Sequence, residues 1–186
     1  MARYTPHPAA LLLLAAFSRH RSALDWARER AMDAWAPIGL ASDPFDFSET
    51  DYYQPTMGSG LKKIFWSFTA PFDPANLAAV KRLANRWEDE FTSAAQRGEV
   101  LGDAGSPITE TRPLNLDPGY LTTAKLVLAS TKDHAHRIYL RDGIFAEITL
   151  FFRHGRWEHH EWTFPDYRRA DYQRFFSQVR DRLKGG

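Results

Sequence analysis

Two turn dipeptides, Asp142-Gly143 and His154-Gly155, divide residues 137–167 into short runs rich in Ile, Phe, Tyr, Thr and Trp. This pattern constrains the chain more than any other feature, because it announces consecutive antiparallel strands. A three-residue loop at Arg141-Asp142-Gly143, with Gly143 left-handed, pairs Leu140 with Ile144, Tyr139 with Phe145, Ile138 with Ala146 and Arg137 with Glu147. Strand alternation then predicts one apolar core face carrying Ile138, Leu140, Ile144, Ala146, Ile148 and Leu150. The opposite face carries Tyr139, Phe145, Thr149 and Phe151 around Arg137 and Glu147. A two-residue turn would instead set Glu147 beside Ile138, where an unpaired carboxylate is costly. For the second hairpin two registers stay open. A bulged loop through Gly155 places Glu161 opposite Glu147 and His159 opposite Thr149; a two-residue turn brings Trp162 opposite Glu147.

A chain of 186 residues with 44% hydrophobic content fills a core without staples. It has no cysteine, which excludes disulfides and thiolate metal sites and makes the cytoplasm the expected compartment. The net charge of +1 provides no global attraction to nucleic acid. Arg3 and the apolar run 9–17 imitate a signal peptide, but the run is too short to span a membrane and Ser18-Arg19-His20-Arg21 follows it. It reads as a buried central strand, with no membrane partner.

Further along, Ser22 reads as the cap of a helix whose stripe is Ala23, Trp26, Ala27, Ala31, Ala34 and Trp35, stopped by Pro37. Residues 43–53 and 61–68 read as a second hairpin or as a strand with an irregular partner. Asp73-Pro74 opens a second helix carrying Leu77, Val80, Ala84, Trp87 and Phe91, closed by Gly98. Residues 98–111 read as a mobile surface loop, and residues 113–116 as a short strand. Asp117-Pro118 then reads as another helix start, although residues 125–129 also fit a strand. A last helix begins near Ala170 and ends at Lys184-Gly185-Gly186. The expectation is one α+β domain over residues 1–186. Half-repeats at 9–97 and 112–184 would each follow the ferredoxin-like strand-helix-strand-strand-helix plan, with helices on one sheet face.

Four stretches carry a resemblance. They are Phe45-Asp46-Phe47 to Tyr52-Tyr53 with Met57-Gly58; Asn115-Leu116-Asp117-Pro118-Gly119-Tyr120-Leu121; Thr131-Lys132 with Arg137-Ile138-Tyr139-Leu140; and Glu147-Ile148-Thr149-Leu150 with Trp162-Thr163-Phe164-Pro165-Asp166-Tyr167. Together they resemble a prokaryotic family catalogued as domain of unknown function 4416. The resemblance implies a stand-alone cytosolic protein and names no activity. The family pattern usually has Glu before the Met-Gly pair, where this chain has Thr56.

The candidate catalytic pair is Glu147 and Glu161. Two facing carboxylates beside Arg137 would split their pKa values for acid-base work or, with Asp166, hold a divalent metal ion. Lys132, Asn115 and Asp117 are expected nearby as ligand contacts. A phosphate would sit at the Asp117-Pro118 helix start, near Lys125, Lys132 and Arg137. The histidines do not have the spacing of a zinc site. Tyr139, Phe145, Phe151 and Trp157 support a different class of function, RNA binding by base stacking. The same face would otherwise be covered by the rest of the chain or by a second copy in a homo-oligomer. The leading expectation is a ligand-binding protein or enzyme acting on a phosphate-bearing metabolite or nucleotide.

Overall fold

The strand β1 (Ala10–Ser18) is buried at every position and sits in the middle of the sheet, as an uninterrupted apolar run demands. The computed structural model describes residues 6–185; Arg3 and Gly186 lie outside them. After β1 come α1 (Arg21–Ala34), β2 (Ile38–Ala41), β3 (Phe45–Asp46), α2 (Gln54–Met57), β4 (Lys62–Pro71) and α3 (Leu77–Gln96). The chain continues through β5 (Asn115–Thr122), β6 (Lys125–Ser130), β7 (Ile138–Arg141), β8 (Ile144–Arg153), β9 (Arg156–His159) and α4 (Ala170–Gly185). The sheet order is β2-β4-β1-β5-β6-β8-β7, with β3 added to β4 and β9 to β8, and all pairings are antiparallel. The protein is therefore α+β with one large antiparallel sheet.

Helices cover both faces of that sheet, where one covered face was expected. On one face, Ala23, Ala27 and Ala31 let α1 approach Leu12, Leu14 and Ala16 closely, and α3 adds Val80, Ala84, Trp87 and Phe91. On the other, α4 lays Tyr172, Phe175, Phe176 and Val179 over Leu13, Ala15, Phe65 and Leu150. Trp157 lies beneath α4, its Nε1 donating to Ser177 Oγ at 3.1 Å.

The largest departure is at Asp117-Pro118, where β5 continues and no helix starts; residues 125–130 form β6, in line with the strand reading of 125–129. Asp117-Pro118 is a strand segment, paired to β1 through Ala15↔Asp117 and Leu14↔Pro118. The local helix-start signal loses to sheet pairing because β5 pairs over its whole length with the buried central strand β1. Gly119 is required here: a Cβ on it would lie 2.2 Å from the Val127 carbonyl oxygen.

The first meander hairpin has the expected partners Ile138↔Ala146 and Tyr139↔Phe145. Its turn differs. Asp142 and Gly143 are both left-handed, at φ 55° and 75°, and the irregularity falls between Tyr139 and Arg141. The predicted apolar face is only partly core. Ile144 and Leu150 are buried, but Ile138 and Leu140, on the edge strand β7, and Ile148, on β8, are exposed. A further irregularity opposite Leu126-Val127 moves Leu150 to the α4 side of the sheet. The second hairpin takes the two-residue turn, pairing Arg153 with Arg156 and Leu150 with His159.

Of the two expected helix caps, one holds and one does not. Asp73 caps its helical segment as expected, accepting from Ala75 N at 2.9 Å. Ser22 lies inside α1, and the helix is capped by Asp103 instead, whose carboxylate accepts from Arg21 N at 3.2 Å and Ser22 N at 3.1 Å. Segment 98–111 is thus anchored, and Glu110 ties it further to Arg19 (3.0 Å) and His20 (2.9 Å).

Candidate functional site

Pro118 has no N–H to give to a ladder, and the β5–β6 pairing is confined to Gly119–Leu121 opposite Leu126–Leu128. Upstream of Gly119 the two strands part. A cavity of about 730 Å³ occupies the opening, walled by α3, the start of β5, the end of β6, β8 and the one-turn helix Pro165–Arg168.

Charged side chains line it in pairs. Lys63, from β4, donates to Asp166 at 2.6 Å; the two side chains are 3% and 5% exposed. The ammonium is ringed by aromatics, 4.5 Å from the Tyr167 ring centroid and 4.9 Å from that of Phe47. Lys81 reaches through the parted strands from α3, donating to the Leu116 carbonyl at 2.8 Å and to Asp117 at 3.0 Å. Asn115 Nδ2 donates to the other Asp117 oxygen at 2.8 Å. Arg112 donates to Glu88 at 3.1 Å and also to Asn115, while Glu88 accepts from Leu116 N at 2.7 Å. At the far wall Arg137 donates to Glu147 at 2.7 Å, to Ser130 at 2.6 Å and to the Lys132 carbonyl at 3.0 Å. Thr149 and His136 also contact the Glu147 carboxylate, at 3.3 and 3.2 Å.

These surroundings push two neighbouring carboxylates in opposite directions. Burial raises the pKa of Glu88 above its ordinary value, and Lys81, Arg112 and the Leu116 N–H do not fully offset it. Burial also opposes ionisation of Asp117, but Lys81, Lys63 and the hydrogen bonds from Lys81 and Asn115 outweigh it, holding that carboxyl below its usual range. Burial pushes the Tyr167 phenol well up, reinforced by Asp166 and Asp117, so Tyr167 is a neutral donor. Chemically, the wall combines fixed cations, an ionised carboxylate, a carboxyl that holds its proton more tightly and phenol groups.

One family model, Domain of unknown function (DUF4416), matches residues 7–183. The chain belongs to this family. No curated protein and no solved structure matches it. The stretches through which the chain resembles DUF4416 meet at the cavity, which is lined by Tyr52, Tyr53, Asn115, Asp117, Lys132, Arg137, Glu147, Phe164, Pro165, Asp166 and Tyr167. Thr56, at the DUF4416 position that usually holds Glu, is exposed. It offers its carbonyl to Arg112 N at 3.0 Å and does not line the cavity.

Of the residues singled out from sequence, Glu147, Arg137, Lys132, Asp117, Asn115 and Asp166 share this cavity. Glu161 does not. β9 ends at His159, and the chain turns away, leaving Glu161 exposed beside His136 and Trp162; the facing pair Glu147–Glu161 does not form. Among the described residues no group of three His, Asp or Glu side chains is arranged to hold a metal ion, so Glu147, Glu161 and Asp166 do not make a triad. Tyr139 is 58% exposed on the edge strand, packed edge-on against Phe145 and outside the cavity. The helix N-terminus proposed for phosphate is absent, since Asp117-Pro118 is strand. Sequence reasoning missed Lys63, Lys81, Glu88 and Arg112. Lys81, Asn85 and Glu88 do recur at helical spacing beside the apolar stripe of α3, and Lys63 shares the two-residue period of Phe65 and Ser67.

Proposed function

We propose that this chain is a cytosolic ligand-binding protein or enzyme that takes a phosphate-bearing metabolite or nucleotide into the β5–β6 cavity. The observation that carries the reading is the burial of Lys63, Asp166, Arg137 and Glu147, with side chains at most 5% exposed, around open space. Burying two ion pairs costs several kcal/mol per ion, on the order of what a domain's whole margin allows, and apolar side chains would fill the same volume more cheaply. Such clusters in a cleft are the mark of a binding or catalytic site.

Lys132 is the cation suited to the phosphate. It lines the cavity, forms no ion pair with a carboxylate among the described residues, and has Tyr52 as its neighbour, 3.4 Å from Nζ to the hydroxyl. The scaffold reads as a ferredoxin-like unit, β1-α1-β2-β4-α3-β5 in the order β2-β4-β1-β5, extended by the β6–β9 meander. RNA binding is the second reading, favoured by a surface column of stacked rings: His134 on His136 (5.7 Å), His136 on Trp162 (5.2 Å) and Trp162 on His160 (4.6 Å).

A thermal-shift screen of the wild type and Lys132→Ala against nucleoside monophosphates, sugar phosphates and a short single-stranded RNA tests both. Stabilisation by a phosphate-bearing small molecule that shrinks in the variant supports the cavity. Stabilisation by RNA alone sinks the first reading in favour of the second, and a flat response throughout removes both.

A further inference from the structure

We propose that the inner end of the cavity recognises a nucleobase bearing a ring N–H next to a carbonyl, as in uracil and guanine, with the phosphate held outside at Lys132; this rests on the nucleotide reading above. The inner end offers an acceptor and donors side by side. Asp166 uses one carboxylate oxygen, Oδ2, to bind Lys63 at 2.6 Å. Among the described residues its Oδ1 accepts no hydrogen bond, and it is not one of the fully occluded unpartnered atoms, although the side chain as a whole is 5% exposed. An oriented carboxylate with one free oxygen calls for a ligand N–H or O–H.

Beside it stands a cation with donors to spare. Lys63 has three N–H bonds and spends one on Asp166; the rings of Phe17, Phe47, Phe65 and Tyr167 around it accept none at full strength. A carbonyl oxygen meets these donors without adding a charge next to Asp166 and Asp117. A phosphate there would face both carboxylates, which places it at the Lys132 end instead. The aromatic walls, Phe17, Phe47 and Tyr53, suit a flat ring between the two ends. Adenine and cytosine in their neutral forms present a bare ring nitrogen at the equivalent edge, which Asp166 would repel.

Calorimetric titration with UMP, GMP, CMP and AMP, together with N3-methyl-UMP, tests this on the unaltered protein. UMP or GMP is expected to bind at least about tenfold tighter than CMP and AMP, and methylation of N3 to cost at least about tenfold, the size of a hydrogen bond to a charged group. If all four nucleotides bind alike, or N3-methyl-UMP binds as well as UMP, the base assignment is wrong while the nucleotide reading stands. If none binds, both fall.

Discussion

Lys63 and Asp166 lie 103 residues apart in sequence and 2.6 Å apart in space, both almost wholly buried. This pair joins the strand β4 to the turn that precedes α4, and so closes the cavity's inner end onto the face that α4 covers.

Removing one member should therefore cost more than removing both. Lys63→Met leaves the Asp166 carboxylate buried without its cation and is expected to destabilise the fold by about 3–5 kcal/mol, whereas Lys63→Met with Asp166→Leu should recover most of that loss. Urea denaturation of the two single variants and the double closes the cycle. Additive losses would mean that the pair is not the closed unit described here.

Gly119 should tolerate no side chain. With the Val127 carbonyl oxygen 2.2 Å from the position of a Cβ, Gly119→Ala must push β5 away from β6. The expected loss is about 1–3 kcal/mol or more, the cost of overpacking. Hydrogen exchange should locate it at the Tyr120↔Val127 ladder. A variant as stable as wild type would show that the strands separate freely.

Glu88 and Asp117 should impose opposite pH slopes. The Glu88 pKa is raised in the fold, so its ionisation opposes folding. Relative to Glu88→Gln, the wild type should lose stability as pH rises from about 4.5 through the folded pKa. The Asp117 pKa is lowered, so its contribution is present above about 3.8 and is lost as pH falls through the folded value. Asp117→Asn should flatten the acid limb and leave the limb above pH 4.5 unchanged. Parallel curves for wild type and both variants would contradict the assignment.

Arg137→Met should free the Glu147 carboxylate from its main partner, leaving it with Thr149 and His136. Urea denaturation near neutral pH is expected to show a loss of about 3–5 kcal/mol. A variant as stable as wild type would mean that the Arg137–Glu147 pair does not hold this wall together.

Much of this site was visible before the fold was known, though not its assembly. Glu147 and Arg137 stood out because charged residues in strongly apolar strands need partners, and they are each other's partner at 2.7 Å. Glu161 had the same local look, but its place depended on whether the His154-Gly155 turn used two residues or three. Lys81 and Glu88 read as the polar border of an amphipathic helix, because nothing in their own segment tells that two strands behind α3 part and let Lys81 reach Asp117.

Local pattern by itself determined the buried strand β1, the helices α1, α3 and α4 and the pairing of Ile138 with Ala146 and Tyr139 with Phe145, since burial and period act over a few residues. Only tertiary structure decided the rest. Asp117-Pro118-Gly119 has the local signals of a helix start and is strand, because pairing with β1 over eight residues outweighs one cap. The missing Pro118 N–H then ends the β5–β6 ladder and opens the cavity, while the Gly119 contact with Val127 holds the strands together just beyond it. Lys63 and Asp166 meet because β4 and the turn before α4 pack on one sheet face, a long-range contact that neither segment encodes alone.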